Sequence, residues 1–409
     1  MWPLAAAPRL KYVVIVSRHG VRSPTWDAAR LNEYSAEPWP EWGVAPGELT
    51  PHGRELMKLM GAYYGEWLTK ERLLDSKGCR DAGRVRIVAD NSQRTLETGR
   101  ALAESLMPGC GIAVQSQPES QKDPLFSGAG TPDPELSLSA VRARLSSDPQ
   151  RLLGDHSAAI DALQGILDGG RGTLRKLREP PFEIGASLSS KTVELTGPFN
   201  VGSTLSENLL LEYANGFRGG KLGWGRLTRE KLLRVLEVHA VYADLMRRTA
   251  YLARARGSNL LAHVLLSMEQ AASGKAVAGA LGSPGDTLLI LAGHDTNLSN
   301  LSGMLGLSWR LQGYQPDDTP PGGALVFLLW RDDAGQDSVT ARYIAQSLDQ
   351  MRDADRVTVA APPVSQDVPI PGCRTRGSRC SWSSFKTAIE EATDTAFVAA
   401  LPGGRSPKP

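Results

Sequence analysis

The sequence predicts an α/β fold, with a mostly parallel sheet flanked by helices and a mainly helical domain inserted in the middle of the chain. Two patterns support this class. Short apolar segments without polar alternation, typical of strands buried on both faces, occur towards both ends of the chain. In the middle, apolar residues instead recur three and four positions apart, as in helices. The chain has 409 residues, about twice the usual length of a single domain, so two domains are expected.

The individual elements follow from these patterns. Strands are predicted at KYVVIVS (11–17), VRIVA (85–89), DTLLILAG (286–293) and GALVFLLW (323–330). A helix begins at Pro51 with Thr50 as its N-cap, and a second helix is predicted over 92–106. Further helices are predicted over 136–145, 157–169, 206–217 and 228–255. Because strand patterns are nearly absent from the middle of the chain, we expect an α/β domain from 1–115 plus 276–409 and an inserted helical domain over 116–275.

Composition narrows the classes of partner. The formal net charge is only +2, which argues against general binding to nucleic acids or other polyanions. No apolar run approaches the roughly 18 residues that a membrane helix needs. We therefore expect a small-molecule ligand and no membrane or nucleic-acid partner. We also expect the protein to be a monomer.

The four cysteines form two sequence-local pairs in loop-like segments. Four cysteines allow three connectivities, and short loops favour Cys79 with Cys110 and Cys373 with Cys380. The spacing is too wide for a CxxC zinc or redox motif. Two disulfides would indicate an oxidising compartment, whereas four free thiols are the alternative.

Charged and titratable residues follow three of the predicted strands directly. They are Arg18, His19 and Arg22 after the first strand, Arg94 after the second, and His294 and Asp295 after the third. In open parallel sheets, ligands bind outside the carboxyl ends of the strands. We therefore expect these residues to form a single site.

The residue types indicate a phosphate ligand. Arg18, Arg22 and Arg94 carry planar donor groups that match phosphate oxygens and stay charged at any working pH. The helix N-termini beside Arg94 and Thr296 would add backbone donors. Gly20 is expected to leave room for the phosphate that a side chain would occupy.

Two of the remaining residues can perform phosphoryl transfer. A neutral imidazole is a competent nucleophile, and His19 lies between two arginines in the sequence. Asp295 can protonate the leaving oxygen and later deprotonate a water. His294 would donate a hydrogen bond to a phosphate oxygen.

An HD pair alone occurs often by chance, but RHG followed by Arg and Pro after an apolar strand is far more specific. With RHGVRSP at 18–24 and HDTN at 294–297, the chain resembles the histidine acid phosphatase family, in the branch whose motifs are RHGxRxP and a distant HD. LTPHG, DNSQRTLETG, KDPLF, GWGRLT, HDTNLSNLSGMLGLSW and PDDTPPGGALVF are similar to the bacterial phytase and periplasmic acid phosphatase subgroup. The resemblance thus spans nearly the whole chain.

This resemblance implies a phosphoglycerate mutase-like sheet and a phytase-like acid phosphatase that forms a phosphohistidine on His19, with Asp295 as proton donor. It implies Arg18, Arg22, Arg94 and His294 as phosphate ligands. It also implies the local disulfide pairing, a periplasmic or secreted location, and neither metal nor cofactor. Thr25, Thr296 and Glu207 would line the pocket beyond the phosphate.

Trp26 departs from the pattern, because phytate-degrading relatives often have lysine at this position. The indole would either stack on a sugar or aromatic leaving group or pack on the helical domain.

Three alternatives to a phytase stay open: a glucose-1-phosphatase or other sugar-phosphate phosphatase, a phosphoglycerate mutase-like enzyme, and a catalytically silent phosphate-binding module. Thr25 stands where the mutase branch expects asparagine.

Overall fold

A computed structural model describes residues 7–399, apart from 146–148, 172–175, 180, 188–191, 374 and 377–378. The strands are β1 (Arg9–Arg18), β2 (Val85–Ala89), β3 (Val114–Gln115), β4 (Ile184–Ser187), β5 (Thr192–Leu195), β6 (Leu288–Gly293), β7 (Ala324–Arg331), β8 (Asp337–Ala345), β9 (Val364–Val368), β10 (Thr375–Arg376) and β11 (Arg379–Ser381). The helices are α1 (Ala28–Asn32), α2 (Pro51–Lys70), α3 (Gln93–Leu106), α4 (Pro124–Ser127), α5 (Pro134–Leu145), α6 (Pro149–Asp155), α7 (Ser157–Asp168), α8 (Pro198–Ala214), α9 (Arg229–Arg247), α10 (Ala250–Ser273), α11 (Asp295–Leu305), α12 (Leu348–Asp353) and α13 (Trp382–Ala392).

The central sheet confirms the predicted α/β class. Its strand order is β10-β11-β8-β7-β1-β6-β2-β3, and β9 pairs with β8. Strands β1, β6, β2 and β3 are parallel, whereas β7 runs antiparallel to β1 and continues into an antiparallel half of the sheet. The sheet is therefore mixed, and its parallel half contains the three strands that the predicted site residues follow.

Helices cover both faces of the sheet, so each central strand is buried on both sides. Val13 and Ile15 of β1 point into a core shared with α2 and α3. Val14 and Val16 point into the opposite core, to which α10 and α11 contribute. Because successive side chains of a strand point to opposite faces, a continuous apolar run is the pattern that such a strand requires.

The middle of the chain is mainly helical, with two differences from prediction. Strands β4 and β5 form an antiparallel hairpin in a region where strand patterns are nearly absent. The helix predicted over 228–255 is instead divided into α9 and α10, because Thr249 adopts a backbone conformation outside the helical region. Helix α10 contacts β1, α11 and α13.

We propose that the chain divides as expected, except that α10 belongs to the α/β domain. The inserted helical domain would then end near Arg248 rather than at residue 275. The outer bounds of the α/β domain, 1 and 409, lie outside the described residues.

The cysteines pair as predicted. Disulfides join Cys79 to Cys110 and Cys373 to Cys380. The first closes the loop between α2 and β2 onto the segment after α3, and the second joins the segment before β10 to β11. Both tie peripheral segments to the rest of the fold: Cys380 is buried in one core, Cys373 packs against the same core, and Cys110 packs against the other.

The turn after β1 packs closely against α2. A Cβ atom on Gly20 would lie 2.8 Å from Met57 Cγ and 2.9 Å from the Gly53 carbonyl oxygen. The expectation that Gly20 leaves room for phosphate is therefore wrong, because its missing side chain is required for packing on α2. On the helix side, a Cβ on Gly53 would lie 2.1 Å from the Val21 carbonyl oxygen. Two glycines thus set the distance between this turn and the helix.

Gly53→Ala is expected to disturb the turn that carries His19 and Arg22. The new methyl group must displace backbone, and such overpacking costs about 1–3 kcal/mol of unfolding free energy. We expect this loss in urea denaturation, together with a lower kcat. Gly165→Ala, in α7, is the matched control, because nothing lies within 4 Å of its Cβ position. This variant should gain about 0.5–1 kcal/mol. A Gly53→Ala protein as stable and active as the wild type would contradict the account.

Candidate active site

Three parallel strands end level with one another at one edge of the sheet. Arg18, the last residue of β1, lies beside Gly293 of β6, and Ala292 of β6 lies beside Ala89, the last residue of β2. The His19 amide then donates a hydrogen bond of 2.9 Å to the Gly293 carbonyl. The backbone therefore brings the residues after β1, β2 and β6 to the same place, as predicted from sequence.

The imidazole of His19 is buried and its orientation is set by the backbone. Its Nδ1 lies 2.8 Å from the Gly20 carbonyl oxygen. Because a carbonyl oxygen only accepts, Nδ1 carries the proton and the Nε2 lone pair is free. Burial, followed by the charges of Arg18, Arg94 and Arg22, holds the pKa of His19 well below its usual range. The ring is therefore neutral and nucleophilic in acidic solution.

Arg18 and Arg22 are held by one carboxylate. Glu207, at the middle of α8, accepts from Arg18 Nη2 with Oε1 and from Arg22 Nη2 with Oε2, the latter at 3.1 Å. All three side chains are buried. Burial opposes ionisation of Glu207, but the two guanidinium groups outweigh it and lower its pKa to about 2. The structure thus places Glu207 as a counterion of the arginines, whereas the resemblance implied only a position in the pocket wall.

His294 lies between a carboxylate and a guanidinium group. Its Nε2 donates to Asp90 Oδ2 at 2.6 Å, and its Nδ1 lies 3.4 Å from Arg94 Nη2. The His294 and His19 rings are 5.6 Å apart, measured between centroids. With Nε2 bonded to Asp90, only Nδ1 can serve a ligand, and it donates only when the ring is protonated.

Asp295 begins α11 and is bound by charged groups on other elements. Arg247 Nη1, at the end of α9, donates to Asp295 Oδ2 at 2.6 Å, and Arg18 Nη2 lies 4.0 Å from the same oxygen. The Thr296 amide donates to Oδ1 at 2.8 Å. Burial opposes ionisation, but Arg247 and Arg18 outweigh it and hold the pKa of Asp295 well below its usual range. In the unliganded protein this residue is a carboxylate.

The predicted pocket residues lie around this cluster at different depths. Thr25 is exposed, and Trp26 and Thr296 are half-buried. The Trp26 ring is covered on one side by the Arg30 guanidinium, 3.8 Å from the ring centroid, and lies beside Tyr34. Trp26 therefore packs on neighbours in its own segment and against the larger hydrophobic core, and Arg30 adds a positive charge there.

One group of side chains has the spacing of metal ligands. Among the described residues, only Glu207, His239 and Asp295 place a ligand atom each within 4.8 Å of one another. Both carboxylates already accept from buried arginines. We do not assign these residues as metal ligands, because the surrounding guanidinium groups favour an anion over a cation.

Two residues that the sequence did not single out, Asp90 and Arg247, form ion pairs with the predicted ones. Asp90 follows β2 directly, so the same strand-end argument that selected Arg94 could have selected it. Arg247 has no comparable signal, because a charged residue near the end of a helix is ordinarily solvated. Its 13% exposed side chain reaches Asp295 only through the tertiary fold.

A family model supports the resemblance seen in the motifs. The model of the histidine phosphatase superfamily (branch 2) matches residues 9–133 and 206–346. The matched ranges include every strand end of the site, and they leave out the segment from 134 to 205. That segment contains α5 to α7 and the β4–β5 hairpin.

Several named proteins are similar over nearly the whole chain. The phytase AppA of Escherichia coli (strain K12) is 35% identical, over 94% of this chain and 92% of that protein. A glucose-1-phosphatase of Providencia rettgeri is 25% identical over the same shares. The Hafnia alvei phytase is 33% identical, over 97% of this chain and all of that one. The TM-score is 0.88 for its tartrate complex and 0.87 for its complex with myo-inositol hexakis sulphate.

Glu207→Gln should destabilise the unliganded protein and strengthen its response to phosphate. Removing one partner of a buried ion pair costs about 3–5 kcal/mol. Inorganic phosphate can replace the lost negative charge beside Arg18 and Arg22. We expect a lower Tm in phosphate-free buffer at about pH 5, where Glu207 is ionised. We also expect a larger rise in Tm on adding phosphate than the wild type shows.

The control removes a carboxylate from an exposed ion pair. Asp367 pairs with Arg342 at 2.7 Å, and its side chain is 72% exposed. Asp367→Asn should change the unfolding free energy by less than about 0.5 kcal/mol and leave the phosphate response unaltered. If Glu207→Gln behaved in the same way, Glu207 would not be the counterion described.

Proposed function

The chain belongs to branch 2 of the histidine phosphatase superfamily, and on this basis we propose that it is a phytase-like acid phosphatase. Its substrates are phosphate monoesters, with myo-inositol hexakisphosphate (phytate) as the leading candidate. One observation carries the proposal: a buried, neutral imidazole with a free Nε2 lies among the guanidinium groups of Arg18, Arg22 and Arg94. That arrangement suits attack on a phosphoryl group rather than binding alone.

Substrate binding is assigned to the three arginines and His294. The Nε atoms of Arg18, Arg22 and Arg94 are buried and have no hydrogen-bond partner within the described residues. An incoming phosphoryl group can accept from these guanidinium groups and from the N-terminus of α11. His294 adds its Nδ1, which lies 3.4 Å from Arg94 Nη2 and donates to a phosphoryl oxygen when the ring is protonated.

His19 Nε2 attacks phosphorus, and the bond from phosphorus to the leaving oxygen breaks in line with it. Asp295 gives its proton to that oxygen, which becomes the alcohol product. A water then attacks the phosphohistidine while Asp295 takes up a proton, and inorganic phosphate and neutral His19 are regenerated. An acid working range follows, because Asp295 must carry a proton in the first step while His19 stays neutral.

The similar proteins support phytate as the substrate. The relative at 35% identity is a phytase, and the Hafnia alvei phytase was solved with myo-inositol hexakis sulphate, a sixfold anion. Two glucose-1-phosphatases, of Providencia rettgeri and Salmonella typhimurium, are 25% and 28% identical, so that alternative is not better supported.

We propose that the protein acts as a monomer in the periplasm or outside the cell. The two disulfides favour an oxidising compartment. Among the described helices, none combines the length and apolarity needed to cross a membrane.

His19→Ala should abolish turnover, because no other group can form the covalent intermediate. We expect kcat for p-nitrophenyl phosphate to fall by at least about 10,000-fold. Rapid quenching with ³²P-labelled substrate should show acid-labile phosphohistidine in the wild type and none in the variant. His263→Ala is the matched control, because His263 Nδ1 makes a similar hydrogen bond, 2.6 Å to the Gly279 carbonyl, outside the cluster. Hydrolysis by His19→Ala at the wild-type rate would refute the proposal.

Asp295→Asn should discriminate between substrates by their leaving groups. We expect kcat for glycerol 2-phosphate to fall by about 100- to 10,000-fold, because the alkoxide requires a proton. For p-nitrophenyl phosphate the loss should be much smaller, since nitrophenolate leaves without one. Equal losses on the two substrates would show that Asp295 is not the proton donor.

A further inference from the structure

Arg247 creates a conflict with the role of Asp295. A proton donor must be protonated when the substrate reacts, but a carboxylate paired at 2.6 Å with a guanidinium group is strongly held in its ionised form. Both side chains are nearly buried, so solvent screens the pair only weakly. The proton donor of the unliganded site is therefore in the wrong protonation state for the chemistry.

The other charged groups that face Asp295 do not remove this conflict. They come from every element around it: Arg18 and Arg22 on and after β1, Arg94 on α3, Glu207 on α8, and His239 and Arg247 on α9. Glu207 already accepts from Arg18 and Arg22. Arg247 is the cation whose hydrogen bond engages Asp295 directly.

Arg247 also lines a cavity that opens next to the site. The cavity has a volume of about 360 Å³, and Arg256, Thr296, Asn200 and Tyr242 contribute to its wall. The Arg256 guanidinium group makes no hydrogen bond or ion pair within the described part of the chain. Burial lowers the pKa of Arg256; Tyr242 opposes this effect and the charge of Arg247 adds to it. One carboxylate, that of Glu194, also lines the cavity, but the two guanidinium groups outnumber it. The space is thus large enough for an anionic group and has an excess of positive charge.

We propose that Arg247 is a positioning residue that keeps Asp295 ionised until a second phosphate group of the substrate enters this cavity and takes over its guanidinium group. This inference rests on the proposed function. The neighbouring phosphate replaces the carboxylate as the acceptor of Arg247. Asp295 then loses its strongest partner and gains a nearby negative charge, and both changes favour protonation.

During the reaction, a proton passes from solvent to Asp295 and from Asp295 to the leaving oxygen. Asp295 takes a proton from solvent as the second phosphate pairs with Arg247. When His19 Nε2 bonds to phosphorus, the bond from phosphorus to the leaving oxygen breaks. The Asp295 proton moves to that oxygen, and the carboxylate formed is the base for the following hydrolysis. Substrates with neighbouring phosphates thereby activate their own proton donor, whereas monophosphates do not.

The test compares pH profiles of kcat for phytate and for glycerol 2-phosphate. In the wild type, we expect the alkaline limb for phytate to lie about 1–3 pH units above that for glycerol 2-phosphate. In Arg247→Gln, the alkaline limb for glycerol 2-phosphate should shift to the higher pH at which the phytate limb lies, because Asp295 is no longer held ionised. The KM for phytate should rise as one ligand of the second phosphate is lost. Arg247→Lys should restore part of the difference between the two limbs.

Arg248→Gln is the matched control. Arg248 is the adjacent arginine, and it bonds to Ser302 Oγ at 2.6 Å and the Leu307 carbonyl at 3.0 Å. Its loss should lower Tm without moving either limb. The inference is overturned if the wild-type limbs coincide, or if their separation persists in Arg247→Gln. Failure of the proposed function would appear earlier, as a wild type that releases no phosphate from phytate, and that result would overturn both.

Discussion

The site depends on the balance between buried guanidinium and carboxylate groups at one edge of the sheet. Arg18 is fully buried, and it can remain there only because Glu207 and Asp295 supply negative charge nearby. The same balance sets the protonation of the reacting groups. Burial, together with the excess positive charge around His19, keeps its imidazole neutral, and pairing with Arg247 keeps Asp295 ionised. A phosphate ligand changes this balance, so binding and chemistry are linked through charge.

The fold supplies the rigidity that this balance requires. Strands β1, β6 and β2 are buried on both faces and end level, so their terminal residues cannot separate without breaking the sheet. Gly20 and Gly53 bring the turn after β1 into direct contact with α2. The carboxylate of Glu207 comes from the inserted region instead, and Arg247 comes from α9. The site is thus complete only when the inserted helices meet the carboxyl edge of the sheet.

Much of the site was predictable because its residues follow strands in the sequence. Arg18 ends the buried strand β1, His19 follows it directly, and Asp295 comes two residues after β6, so the pattern that reveals those strands also locates these residues. The pairing of β7 was not predictable, since a buried antiparallel strand has the same apolar pattern as a parallel one. The β4–β5 hairpin is built from two four-residue strands, too short for a clear pattern. Arg247 could not be found from sequence, because its partner lies 48 residues away and only tertiary packing joins them.

A crystal structure of the protein with orthovanadate would test whether His19 attacks a phosphoryl group held by the three arginines. Five-coordinate vanadate suits this test because it resembles a phosphoryl group during transfer. We expect vanadium bonded to His19 Nε2 at an apical position, equatorial oxygens bound by Arg18, Arg22 and Arg94, and Asp295 beside the opposite apical oxygen. The His19 Nδ1 bond to the Gly20 carbonyl should be unchanged. Vanadate bound through Nδ1, or at a place remote from the three arginines, would contradict the account.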